Sequence, residues 1–155
     1  MEIHNEMKLS FISKSANEGF ARVAVAAFVS QLDPTIDELS EIKTAVSEAV
    51  TNSVVHGYRD RLGTITITAR ILPGGRVSIV VVDKGCGIEN TEQAMEPLFT
   101  TSTAGDRAGM GFTIMQSFMD KMTVRSTPGK GTKVSMEKRL SARVRSLKDF
   151  EAVLK

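Results

Sequence analysis

Apolar and polar residues alternate through KLSFISKS (8–15), the period of a strand with one buried face. Over about 17–32 the period lengthens: the spacing of Phe20, Val23, Ala24, Ala27 and Phe28 predicts a helix. Asp33-Pro34 breaks it. Thr35 begins a second helix, with Ile36, Leu39, Ile42, Val46, Ala49, Val50 and Ser53 as its core stripe. Gly57 suits its C-terminus. TITITARIL (64–72), PGG and RVSIVVVD (76–83) predict a β-hairpin. The stretch 97–109, rich in Thr, Ser and Gly, predicts a loop or lid, and MGFTIMQSFMD (110–120) a short helix. MTVRST, PGKG and TKVSMEKRL close the pattern with another hairpin. The chain therefore reads as α+β, a two-layer sandwich with helices on one face of a mixed, mostly antiparallel sheet.

The second helix carries an unusual face. In EAVTNSVVHG (48–57), Glu48, Asn52 and His56 recur at four-residue intervals. A carboxylate, an amide and an imidazole then share one side, with Cβ atoms about 6 Å apart. That side is either a solvated face or one wall of a site.

Two glycine-bearing loops bear on the choice. Asp83-Lys84-Gly85-Cys86-Gly87 follows a buried strand directly. An Asp there can accept a hydrogen bond from an exocyclic amine, and glycines admit a ligand close to the backbone; a plain turn explains the same residues. Arg107-Ala108-Gly109-Met110-Gly111 runs into a helix, whose free N–H groups and dipole favour an anion. Arg107 can add donors to a phosphate, although a solvated loop arginine is the ordinary alternative. Neither loop fits GxxxxGK[ST] or GxGxxG, which argues against P-loop and Rossmann assignments.

Composition narrows the picture further. A length of 155 residues suits one domain with a real core, and 41% apolar with 25% charged residues is a globular balance. The net charge of +2 is too small to imply nucleic acid. The basic excess sits in 138–155, where Lys138, Arg139, Arg143, Arg145, Lys148 and Lys155 face only Asp149 and Glu151. A single cysteine, Cys86, excludes an intrachain disulfide and a Cys-based zinc cluster. It reads as a small turn residue rather than a reactive thiol. Met110, Met115, Met119 and Met122 read as core packing. No apolar run approaches the roughly 20 residues of a membrane span. MEIHNEMKLS lacks a signal-peptide layout, so a cytoplasmic setting is expected.

The ordered set is a helical Glu-x-x-x-Asn, Asp-x-Gly-x-Gly after a strand, a lid, Gly-x-Gly before a helix, and Gly131-Thr132. It resembles the GHKL (Bergerat-fold) ATPases, which include histidine kinases, gyrase-type topoisomerases and bacterial serine kinases. The resemblance spans about 7–140, so 1–140 is expected to be the ATP-binding kinase domain and 141–155 a basic tail. SEAVTNSVVHGY, PLFTT and GMGFTIM are most similar to the serine kinases of this group that act as sporulation anti-sigma factors.

The resemblance implies ATP and Mg²⁺ as cofactors, with Asn52 as the metal ligand, a hard oxygen donor for a hard cation. It implies that Asp83 holds the adenine amine and that Thr132 helps fix the base. Gly85, Gly87 and Ile88 would belong to the adenine loop and Thr101 to the lid. Gly109, Met110 and Gly111 would give N–H groups to the phosphates, Arg107 would reach the terminal phosphate, and His56 would approach the phosphates. Glu48 is the implied general base, and Glu48 with Arg107 the catalytic pair. The implied partners are a sporulation sigma factor, kept from RNA polymerase, and an anti-anti-sigma protein phosphorylated on serine. A homodimer through the first strand and helix is also implied, with Arg22 a candidate sigma contact; no direct nucleic-acid or membrane contact is expected. Two alternatives stand beside this: a stand-alone histidine-kinase catalytic domain, and an ATP-responsive sigma-binding module without useful catalysis.

Overall fold

The computed structural model describes residues 2–95 and 111–141. Thr101, Arg107, Gly109, Met110, the 97–109 loop and all but the first residue of the 141–155 tail lie outside the described residues. The elements are β1 (Asn5–Ile12), α1 (Ala16–Val29), α2 (Ile36–Asn52), β2 (Thr64–Leu72) and β3 (Arg76–Asp83). They continue with α3 (Thr91–Ala94), α4 (Gly111–Phe118), β4 (Lys121–Thr127) and β5 (Gly131–Arg139). A 3₁₀ turn, Ser30–Leu32, prolongs α1, and a π-helical turn, Ser53–Tyr58, prolongs α2.

The five strands form one sheet in the order β1-β2-β3-β5-β4, and every pairing is antiparallel. Helices α1, α2 and α4 bring their buried residues into the same core as the sheet, giving the expected α+β sandwich. Strand alternation decides what faces that core. Ile65, Ile67, Ala69 and Ile71 of β2 and Val77, Ile79 and Val81 of β3 are fully or almost fully buried, while their neighbours are partly exposed. Asp83 falls on the same buried face by the same period, at the end of β3. Ile42, Val46 and Val50 of α2 meet this layer with no exposed surface. Burying each such side chain contributes about 1.5–3 kcal/mol.

Three local details are settled only in the fold. β1 starts three residues earlier than 8–15 and ends at Ile12. Ser13 leaves the ladder for Gly63: its N–H donates to the Gly63 carbonyl (2.8 Å), and its hydroxyl accepts from the Gly63 N–H (2.9 Å). On α1 the core face is Ala21, Val25, Ala26 and Val29, whereas Phe20 and Val23 are 54% and 58% exposed. Both stripes have helical spacing, and the smaller side chains are the ones turned inward. On α2, Ile36 is 87% exposed and the fully buried stripe starts at Ile42, because the first turn is a capping structure.

Lys138, counted with the basic tail, is a buried residue of β5. Its Nζ donates to the Phe118 carbonyl at the end of α4 (2.6 Å) and pairs with Glu41 of α2 (2.8 Å). A cation at a helix C-terminus is favoured by the helix dipole. Met115 and Met119 lie in the core and Met122 packs against it, as expected. Among the described residues no helix is long and apolar enough to cross a membrane.

Candidate functional site

A cleft of about 600 Å³ opens between α2 with its π turn, the loop after β3, the start of α4, and the β4–β5 turn. Asn52, His56, Asp83, Gly87, Ile88, Gly111 and Thr132 all line it. Residues far apart in sequence thus converge on one cavity.

The floor is a row of cross-strand neighbours. Antiparallel register sets Asp83 opposite Thr132, and Thr132 opposite Ser126. Asp83 is 5% exposed; its Oδ2 accepts from the Ser53 hydroxyl (2.8 Å) and its Oδ1 from the Gly85 N–H (2.9 Å). Each carboxylate oxygen keeps a further lone pair for a ligand amine. Ser126 accepts from the Ile88 N–H (2.7 Å) and donates to the Gly131 carbonyl (2.8 Å). Its single proton is then used, so in the 2.9 Å contact with Thr132 it is Thr132 that donates. The lone pairs of Thr132 stay available to the cleft.

Backbone packing explains the glycines. A Cβ on Gly85 would lie 2.2 Å from the Gly57 carbonyl oxygen, and one on Gly57 would lie 3.1 Å from the Asp83 carboxylate. The helix ends near Gly57, as expected, but Gly57 lies inside its closing turn rather than just beyond it. The helix passes through it as a π turn to Tyr58, and its carbonyl accepts from the Cys86 N–H at 2.8 Å. Gly85 does not line the cleft but supports Asp83 from below. Gly87 has φ +75°, and any Cβ there would lie 2.3 Å from the Thr127 carbonyl oxygen, so only glycine fits.

The α4 end of the cleft is a second convergence. A Cβ at Gly111, the first residue of α4, would lie 3.1 Å from both terminal atoms of Asn52 and 3.3 Å from Glu48 Oε2. The helical stripe predicted from spacing is thus aimed at the start of α4. Glu48 is 2% exposed. It does not line that cleft; it borders a second groove of about 510 Å³ with Glu18, Arg22, Lys43 and Ser47. His56 departs from the stripe's α-helical continuation, because it stands in the π turn. Burial first, and the Arg59 charge second, push its imidazole below its ordinary pKa, so it is neutral near pH 7.

The metal implied by the resemblance can be tested against these donors. Among the described residues there is no group of three or more His, Cys, Asp or Glu able to cage a metal. Magnesium bound to a nucleotide needs only one or two protein oxygens beside phosphates and waters. The Asn52 amide, at the mouth of the α4 N-terminus, fits that smaller demand.

Several residues of the site are not legible as such in the chain. Ser53 reads as part of the core stripe, yet a hydroxyl among apolar residues is a signal for a buried acceptor. Tyr58 accepts from the Lys84 N–H (2.8 Å) and donates to the Thr64 carbonyl, locking the π turn to the loop. Ser126 carries no signal until the strand register is known. Cys86 is free, and its thiol donates to the His56 carbonyl at 3.1 Å.

Known proteins point the same way. The chain matches the histidine kinase-like ATPase domain family over residues 13–138. It is 60% identical to the anti-sigma F factor of Thermoanaerobacter sp. (strain X514) over 138 residues, covering 89% of this chain and 96% of that protein. It is 57% identical to the anti-sigma F factor of Clostridium beijerinckii, covering 88% and 96%. Among solved structures, ShkA full-length in complex with AMPPNP superposes with a TM-score of 0.56 at 23% identity, over 81% of this chain and 30% of ShkA. The chain belongs to the histidine kinase-like ATPase (GHKL) family and to its anti-sigma F factor branch.

Proposed function

We propose that this member of the family is an Mg-ATP-dependent protein serine kinase and an anti-sigma factor of sporulation. In this reading it holds a sporulation sigma factor away from RNA polymerase and phosphorylates an anti-anti-sigma protein. The observation that carries the kinase half is the convergence of Glu48 and Asn52 on the first residue of α4. The family and the names of the relatives support the anti-sigma half.

Adenine sits in the cleft with its exocyclic amine donating to Asp83, beside Thr132. The phosphates run toward Gly111, where the start of α4 presents free N–H groups. Asn52 would hold Mg²⁺ through its amide oxygen. The ion, when bound, neutralises phosphate charge. Phosphoryl transfer asks the protein chiefly for positioning and for a group near the nucleophile. The acceptor serine approaches by way of the second groove, which Glu48 borders, to reach the γ-phosphate near Gly111. Glu48 takes the hydroxyl proton as the serine oxygen bonds to the γ-phosphorus, the bond to the β-phosphate oxygen breaks, and ADP leaves.

Arg22, on the rim of that groove, is proposed as a sigma contact. The exposed apolar side chains Ile12, Phe20 and Val23, on β1 and α1, support a homodimer through those elements. The setting is proposed to be the cytoplasm, and 141–155 a basic tail outside the kinase domain.

Incubation with labelled ATP and an anti-anti-sigma protein tests the reading. Acid-stable phosphoserine is expected. Acid-labile phosphohistidine would assign the chain to histidine-kinase chemistry, and no transfer beside intact sigma capture would leave a binding module without catalysis.

A further inference from the structure

We infer that Arg59 is a nucleotide-binding residue that grips the phosphate chain at its adenine-proximal end. The inference rests on the nucleotide reading of the cleft and adds to it a cation that the resemblance does not supply. Three observations carry it.

First, the cleft needs one. Its described lining includes the carboxylates Asp83 and Glu89, and Arg59 is the one permanent cation among the described lining residues. His56 lines it too, but its imidazole is held neutral by burial. Apart from a metal ion held by Asn52, a polyphosphate lying over Asn52 and His56 would meet Arg59 as the one permanent cation among the described lining residues.

Second, the backbone at Arg59 is strained. Two non-glycine residues in the described chain have positive φ, Asp33 and Arg59. Asp33 has φ 49° and ψ 58°, the left-handed region that aspartate tolerates. Arg59 has φ 54° and ψ −111°, outside every well favoured by L-residues. Such conformations cost about 1–3 kcal/mol and cluster at ligand sites. Here the strain ends the π turn and carries the side chain to the cleft.

Third, the side chain is directed but not consumed. Its Nε donates to the His56 carbonyl at 3.4 Å, a long bond, and the residue lines the cleft. Among the described residues, its Nη atoms meet no carboxylate within ion-pair distance. Arg61, two residues on, lies over the Tyr58 ring at 5.7 Å and is engaged elsewhere. Arg59 stands beside Gly57 and Tyr58, which bind the 83–86 loop that carries Asp83. Its reach is thus toward the base end of the phosphate chain, so ADP and ATP should both feel it.

Calorimetric titration of wild type, Arg59→Gln and Arg59→Gly with Mg-ATP, Mg-ADP and adenosine tests this. Arg59→Gln should weaken ATP and ADP by similar factors, about five- to twentyfold, and leave adenosine unchanged. Arg59→Gly removes the cation and relieves the backbone, so it should bind ADP as weakly while melting at a higher temperature. Wild-type affinity for ADP in both variants would overturn the assignment, as would an equal loss for adenosine, which would mark a purely structural role. A wild-type protein that binds neither ATP nor ADP would instead overturn the nucleotide reading itself.

Discussion

The two ends of α2 follow opposite rules. At its start, Thr35 forms a capping box: its hydroxyl accepts from the Glu38 N–H (3.1 Å), and Glu38 accepts from the Thr35 N–H (2.9 Å). Asp37 and Glu38 complement the helix dipole, and Glu38 also accepts from the Ser141 N–H at 2.6 Å. One turn on, Glu41 pairs with Lys138. Here polar groups are satisfied near the surface, and their effect is stability. At the other end a carboxylate is buried, the hydrogen-bond ladder widens into a π turn, and a non-glycine residue closes it at positive φ. π turns of this kind often occur at functional sites. Local rules are kept where the helix only needs to persist and are broken where it must aim side chains.

Substitutions at each end put this contrast at risk. The largest effect is expected from Glu48→Gln, which keeps size and removes the proposed base. Single-turnover phosphorylation at saturating ATP should slow about 10²–10⁴-fold with ADP affinity retained. Transfer at the wild-type rate would remove Glu48 from the chemistry.

Ser53→Ala comes next. It strips Asp83 Oδ2 of its 2.8 Å donor and leaves the buried carboxylate free to turn from the ligand. Adenine nucleotides should bind about tenfold more weakly, with a stability loss of roughly 1–3 kcal/mol. An unchanged nucleotide affinity would place Ser53 in the fold alone.

The smallest effect belongs to the opposite end. Thr35→Ala should cost about 1 kcal/mol by denaturant titration and leave nucleotide affinity untouched. Its partner gives this end a pH signature. Burial pushes the Glu38 carboxyl up, but hydrogen bonds from Ser141 and Thr35 outweigh this and hold it below its ordinary value of 4.5. A carboxyl depressed on folding stabilises the protein above about pH 4.5, and that contribution fades as pH falls through the folded value. Glu38→Gln should flatten this part of the acid unfolding curve. If it leaves the curve unchanged, the capping box is not an acid-sensitive element.

Local periodicity made much of this protein legible. A period of two fixed both hairpins and set Asp83 on the inward face of β3; a period of 3.6 set Glu48 and Asn52 on one side of α2. Each depends only on near neighbours in the chain, so each could be read from residue order. Where two patterns were equally periodic, order could not choose: α1 is apolar on two faces, and packing turned Ala21, Val25 and Val29 inward while leaving Phe20 and Val23 outside. Residue order was also silent where the determinant was distant. Lys138 was legible as a strand residue within the basic excess of 138–155, but only the sheet order, with β5 beside β3, brought it between α2 and α4. The π turn arose because Gly57 must lie against Gly85 and Tyr58 must reach Lys84, contacts between segments distant in the chain. The row Asp83, Thr132, Ser126 exists only in the sheet register. Local chain geometry supplied the site's residue types and faces, and long-range packing supplied their distances.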